Sequence, residues 1–266
     1  DPSLNATTNA GTAGLWTRVR GETFSKGLAS NYNVHYADGV FRITKRPVTV
    51  TGVTVSRTYD GTAQHFTGYN GVTFDGFANG QSETSAGVIS GGNIVYQPIA
   101  NAGDTTGYAQ GAIHAGTYDV GLSGSNLMAN NYTFTYAPGT LTITPRALNL
   151  KAGDKTRIYG TENATAVYTG GTQKFRDVST GANAGLVGTD TVGDVTETLD
   201  GTVRTNAGTP GLKTHIGAAQ FSHGKASDYA VTYTDGTLAI TPRALTLRAG
   251  NKDCLLYTSD AADEED

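Results

Sequence analysis

Cysteine, methionine and tryptophan occur once each in 266 residues. With Cys254 alone, no disulfide framework can form, and zinc sites built on several cysteines are excluded. Charge is sparse: 16% of residues are Asp, Glu, Lys or Arg, against a usual ~25%. No apolar run approaches the ~20 residues of a membrane-crossing helix, and no signal-peptide pattern is visible. The Ala/Glu/Lys/Leu/Arg richness of coiled coils is missing too. What is abundant is glycine (36), threonine (42) and tyrosine (14). Glycine has about twice its ordinary ~7% share. Threonine and tyrosine suit a pleated sheet and glycine suits tight turns, so a turn-rich, all-β protein is expected. The chain opens on Asp1 rather than Met, which reads as a fragment.

Residues 254–266 differ in style from the rest. Cys254-Leu-Leu-Tyr-Thr-Ser-Asp-Ala-Ala-Asp-Glu264 resembles the in-frame translation of a transposon-type sequencing adapter, and is set aside as read-through. Five acidic residues and no basic one fall in this tail. The formal net charge of −4 therefore becomes about +1 for residues 1–253, from 18 acidic and 19 basic side chains. Neither nucleic acid nor a membrane surface is attracted by an overall field of that size. The only thiol goes with the tail.

Internal similarity organises the remainder. Three segments align: Ser30-Asn-Tyr-Asn-Val-His-Tyr-Ala-Asp-Gly-Val-Phe-Arg-Ile-Thr-Lys-Arg46, Asn130-Asn-Tyr-Thr-Phe-Thr-Tyr-Ala-Pro-Gly-Thr-Leu-Thr-Ile-Thr-Pro-Arg146 and Ser227-Asp-Tyr-Ala-Val-Thr-Tyr-Thr-Asp-Gly-Thr-Leu-Ala-Ile-Thr-Pro-Arg243. Asn9-Ala-Gly-Thr12 aligns with Asn206-Ala-Gly-Thr209, and Phe24-Ser25 with Phe221-Ser222. The implied organisation is the C-terminal part of a truncated module (1–46), full modules at 47–145 and 146–243, and the start of another at 244–253. Each aligned segment reads as a β-hairpin: Tyr32, Val34 and Tyr36 alternate with polar neighbours, a turn follows, then Phe41 and Ile43 alternate. The turns are Asp38-Gly39, Pro138-Gly139 and Asp235-Gly236. Pro138 excludes a type I′ turn, so the shared geometry is expected to put the glycine at positive φ. Pro145 and Pro242 mark joints of a residue or two, which predicts a semi-rigid array. Within the Gly-, Asn- and Ser-rich stretch from Phe74 to Thr106, Ile94-Val-Tyr96 is the clearest strand.

Catalytic chemistry finds little support. His35, His65, His114, His215 and His223 show no helical ligand spacing, and His35 falls on the polar side of its segment. Asp190 and Asp194 could offer oxygens to calcium, but the spacing of calcium-binding β-rolls and EF-hands is missing. No nucleophile elbow or phosphate-binding loop is present. No catalytic residue, metal site or cofactor is expected. Tyr32, Tyr132 and Tyr229 recur at one position and read as packing residues rather than sugar platforms.

These anchors carry a family likeness. Thr58-Tyr-Asp-Gly-Thr62 resembles the opening of YDG/MBG-type repeat modules, and Arg157-Ile-Tyr-Gly160 the variant that opens with Tyr-Gly. The closures from Asn131-Tyr132 to Pro145 and from Asp228-Tyr229 to Pro242 resemble those of both types, as do His114-Ala-Gly-Thr117 and Asn206-Ala-Gly-Thr209. Asp228 and Lys45 depart from the Asn and Pro of the other copies. The resemblance spans residues 1–253. It implies tandem all-β modules, sandwich-like or grasp-like, in an elongated array within a filamentous-haemagglutinin-like adhesin at the bacterial outer surface, exported by two-partner secretion. Partners implied are neighbouring modules of the same chain. Three roles compete: a stalk spacing a binding region from the cell; modules that themselves bind host or matrix glycans or proteins, with Tyr69, Tyr96 and Tyr108 as candidates; and an enzyme of polysaccharide turnover, for which no carboxylate pair is nominated.

Overall fold

The computed structural model of the chain describes residues 4–96 and 106–254. Within them the protein is all-β, with three single-turn 3-10 segments and no α-helix. The strands, in chain order, begin with β1 (Trp16–Thr17) and β2 (Gly39–Val40). The first full copy holds β3 (Arg46–Gly52), β4 (Thr54–Thr58), β5 (Val72–Asp75), β6 (Thr106–Tyr108), β7 (Gly116–Val120), β8 (Tyr132–Ala137) and β9 (Gly139–Thr144). The second holds β10 (Arg146–Ala152), β11 (Lys155–Ile158), β12 (Val167–Tyr168), β13 (Phe175–Asp177), β14 (Thr191–Leu199), β15 (Lys213–His223), β16 (Tyr229–Thr234) and β17 (Gly236–Thr241).

β3 and β10 anchor their copies because alternate residues are apolar. Val48, Val50, Leu148 and Leu150 are completely buried, whereas Thr49 and Asn149 between them keep contact with solvent. Each such burial contributes about 1.5–3 kcal/mol. β3 lies between β5 and β8, antiparallel to the first and parallel to the second, with Val48 opposite Phe134. One residue further on, β4 belongs to a different sheet, β4-β9-β7-β6, where it runs parallel to β9. β8 and β9 make the same change of sheet. The expected hairpins are therefore absent: β8 and β9 do not pair with each other, and each pairs with a strand from the start of its copy. The second copy repeats this, with β16 beside β10 in the sheet β13-β10-β16 and β17 parallel to β11 in the sheet β12-β11-β17-β15-β14. Period-two alternation identifies a strand and its buried face but carries no information about its partner.

The turn glycines serve a different purpose from the one expected. Gly39, Gly139 and Gly236 all lie outside the left-handed region. Gly52 and Gly139 meet where the parallel strand pairs β3/β8 and β4/β9 change sheets. A Cβ on Gly52 would stand 2.5 Å from Gly139 N and 2.7 Å from Val120 O; one on Gly139 would collide with Gly52 O and Val53 O. In the second copy Gly153 and Gly236 meet likewise, and a Cβ on Gly236 would collide with Gly153 O and Thr214 Oγ1. The glycine is required by the close approach of two backbones.

Contacts divide the chain into two compact units. The first takes in the residues up to 150 with 177–196 and 217–233; the second takes in 151–176, 197–216 and the residues from 234. In the first, Val48, Val88, Ala129 and Tyr132 form one buried cluster, and Val50, Val72, Leu122 and Leu127 another. Ile94 and Tyr96 pack against the second cluster without forming a strand. Side chains satisfy this stretch: Asn93 N donates to Asn126 Oδ1 and Val95 N to Ser125 Oγ. In the second unit, Ala152, Ile216 and, in β17, Leu238 and Ile240 are each buried. Lys155 is buried there too, 2.5 Å from Glu197 and over the Tyr168 ring.

The partial copy is less ordered in pattern. β1 pairs with β2, Thr17 opposite Gly39, in the register by which Thr214 of β15 opposes Gly236 of β17. Residues 32–36 form no strand, and Tyr32, Val34 and Tyr36 are exposed. Their counterparts in β8 are held extended by β3, and no described strand stands beside residues 32–36 in that role. Among the described residues, no helix is long and apolar enough to cross a membrane.

Candidate functional site

Of the tyrosine candidates, Tyr69 and Tyr96 have described side chains, and both are packed against neighbouring rings. Tyr69 is half-buried, edge-on to Phe74 with ring centroids 5.4 Å apart. Tyr96 is half-buried against Phe66; its hydroxyl accepts from Gly71 N at 3.1 Å, and burial raises its pKa. Tyr108 ends β6, and its side chain lies outside the described part of the structure. The proposed read-through tail beyond Cys254 lies outside the described residues. Among the described residues there is no group of three His, Cys, Asp or Glu side chains able to hold a metal ion. Asp194 accepts from Val195 N, whereas Asp190 accepts from two tyrosine hydroxyls.

The densest polar constellation lies in the first unit, where the two full copies meet in sequence. The 3-10 turn Ala226–Asp228 places Asp228 immediately before β16, with its side chain fully buried. Its Oδ1 accepts from Ala115 N at 2.8 Å, and its Oδ2 lies 2.7 Å from His114 Nδ1, in hydrogen-bonding contact. A buried carboxylate costs several kcal/mol unless donors surround it, and here a backbone amide and an imidazole do so. Tyr59, of the Tyr-Asp-Gly motif, follows β4, held by its amide donating to Thr144 O. Its hydroxyl donates to Asp190 Oδ2 at 2.9 Å, and the Tyr229 hydroxyl donates to the same oxygen at 2.7 Å. The two rings meet edge-on at 5.6 Å. Burial, then the bond to Asp190, raises the pKa of both phenols. Arg146 spans the same place, donating to Gly185 O and Ala184 O, with a longer contact to Tyr59 O.

A second clasp with the same plan lies between the partial copy and the first full copy. Ala10 N donates to Asn131 Oδ1 at 2.8 Å, and Asn131 Nδ2 donates to Asn9 Oδ1 at 2.9 Å. By alignment, Asn9-Ala10 corresponds to His114-Ala115, and Asn131-Tyr132 to Asp228-Tyr229. The Tyr132 hydroxyl accepts from Ala78 N and donates to Gln81 Oε1, as Tyr229 accepts from Val187 N and donates to Asp190. Arg46 donates to Gly76 O as Arg146 does to Gly185 O. One part is missing. Tyr59 is surrounded by His114, Thr144, Arg146, Asp190 and Tyr229; their counterparts Asn9, Thr44, Arg46, Gln81 and Tyr132 all line an open cleft of about 690 Å³. No described tyrosine fills it.

A third cluster belongs to the second unit. His215 Nδ1 and Nε2 contact Asp235 and Asp200 at 2.8 and 3.0 Å, and Lys213 Nζ contacts Asp235 at 2.9 Å. Hydrogen bonds to Asp200 and then Asp235 raise the His215 pKa; bonds to His215 and Lys213 lower those of the carboxylates. These groups are partly exposed to solvent, and each carboxylate has a basic side chain beside it.

Of His114, Asp228 and Asp190, the sequence marks only Asp190, as a calcium candidate, and the structure gives it two phenol donors instead; His114 and Asp228 carry no functional motif. The signal for them is a paired change: the aligned Asn9 and Asn131 become His114 and Asp228 together. Compared with known protein families, with curated proteins and with solved structures, the chain matches none.

Proposed function

We propose that residues 1–253 belong to the repeat region of a bacterial surface adhesin of the YDG/MBG type. In this reading the modules are sandwich-like or grasp-like and stand in an elongated array, a stalk that holds a binding region away from the cell. The observation that carries it is the recurrent clasp. At two successive boundaries, the amide of the alanine before Gly-Thr is accepted by the side chain before a buried tyrosine. Copies tied by hydrogen bonds across joints of a residue or two transmit extension better than beads on flexible linkers. The absence of cysteine from residues 1–253 suits a chain threaded unfolded through an outer-membrane pore, as two-partner secretion requires. The alternative, a glycan platform on Tyr69, Tyr96 and Tyr108, has less support, because Tyr69 and Tyr96 are packed against their own sheet. Small-angle scattering of the chain tests the stalk: an elongated particle is expected, and a compact globular profile overturns it.

A further inference from the structure

We propose that the residue before Ala-Gly-Thr in one copy and the residue before the buried tyrosine in the next form a pairing code, and that Asn206 presents its open half to a following repeat bearing Asn at the partner position. This goes beyond the stalk reading: it states which repeats can adjoin, whatever the array supports.

The first ground is the paired change. Asn9 meets Asn131, and His114 meets Asp228. In both clasps one oxygen of the second residue accepts an alanine amide, so the other end of that side chain is left to select its partner. An amide opposite an amide supplies one donor and one acceptor. A carboxylate only accepts, so it needs a donor opposite, and the imidazole provides one. Asp228 is fully buried and Asn131 only partly, so a mismatch at the His–Asp clasp has no water to relieve it.

The second ground is the state of the third copy of the surface. Tyr159 holds the backbone place of Tyr59: its amide donates to Thr241 O as that of Tyr59 does to Thr144 O. Yet Tyr159 is 39% exposed and Tyr59 3%. Gly208 N donates to Ile240 O as Gly11 N does to Ile43 O, so the Asn206-Ala-Gly segment keeps the geometry of the engaged Asn9-Ala-Gly. Asn206 is exposed. Leu245 and Leu247, aligned with the fully buried Leu148 and Leu150, are 81% and 85% exposed. The occupant with matching chemistry is a repeat of the same kind, presenting Asn-Tyr and an acceptor such as Gln81 or Asp190 for the tyrosine hydroxyl. Asn opposite Asn is the pairing that the engaged Asn9/Asn131 clasp shows.

The test is a double-mutant cycle on the whole chain, read by hydrogen exchange at the Ala115 amide. H114N and D228N are made singly and together. With a code, each mismatched single speeds exchange, and the double, which recreates the Asn9/Asn131 pair, is protected by about tenfold more than the product of the single effects predicts. Effects that simply multiply overturn the code. Should the His114 variants fail to fold, N9H and N131D at the other clasp give the same reading through the Ala10 amide: N131D alone weakens protection, and N9H/N131D restores it. Failure of N9H to restore protection also overturns the proposal. Neither cycle depends on the particle being elongated, so the scattering result and this one can fail separately.

Discussion

Replacing Gly52 by alanine tests why the paired glycines are there. The new Cβ would lie 2.5 Å from Gly139 N, 2.7 Å from Val120 O and 3.0 Å from Val120 Cγ1. Ordinary contact begins near 3.4 Å, so the backbones must separate by roughly 0.7–0.9 Å. The atoms in the way are mostly main chain, and no rotamer change removes them. Val53 N donates to Gly71 O and Thr140 N to Val53 O, each at 2.9 Å. Separation by that amount carries such a bond beyond hydrogen-bonding distance, at about 1 kcal/mol each. Overpacking adds about 1–3 kcal/mol. Together these make about 3–5 kcal/mol, which lowers Tm by roughly 6–20 °C in a unit as large as the first, residues up to 150 with 177–196 and 217–233. Thermal unfolding followed by circular dichroism reads the shift. Gly217→Ala is the control, because its nearest neighbour would be Thr196 Oγ1 at 3.6 Å and its φ is not left-handed. If Gly52→Ala melts within a degree or two of the parent, the close-approach argument is wrong.

Other substitutions address the clasp, the tyrosines and the histidine cluster. Tyr59→Phe removes one of the two phenols on Asp190 and is expected to cost about 1.5–3 kcal/mol by urea unfolding; an unchanged midpoint would mean the hydroxyl is not needed. Tyr96→Ala, which vacates packing against Phe66 and the Leu122 cluster, should destabilise by about 2–4 kcal/mol, where a free-standing ring would cost almost nothing. His215, held by two carboxylates, should titrate above its ordinary value of 6.5 in a proton NMR experiment, and Asp235→Asn should bring the midpoint down. Its contribution to stability is complete below the unfolded value and is lost as pH rises through the higher folded one. Asp200 and Asp235 act in the opposite sense: their contributions are present above the ordinary carboxylate value and fade as pH falls through their lowered ones. A His215 midpoint at or below 6.5 would contradict the geometry.

Composition and alternation made the β class legible, since the preference of Thr, Val and Tyr for a pleated surface is local. The burial pattern of β9 and that of β17 follow from Gly-Thr-Leu-Thr-Ile-Thr and Gly-Thr-Leu-Ala-Ile-Thr, read two residues at a time. The importance of Tyr132 and Tyr229 was legible too, from their recurrence. Their hydroxyl partners were not, because the turns at Ala78–Gln81 and Val187–Asp190 share no residue type that marks them as equivalent.

What the residues determine by themselves is thus everything that depends on near neighbours: strand or turn, which face is apolar, where similarity recurs. Strand partnership was decided only by the tertiary structure. β8 pairs with β3 and β9 with β4, because Gly52 and Gly139 let two backbones cross where any side chain would part them. The clasp was decided there as well. Asp228 reads in sequence as a minor departure from Asn. Buried against His114 and Ala115, more than a hundred residues away, it becomes a residue with a required partner, since a carboxylate removed from water must find its donors wherever the fold brings them.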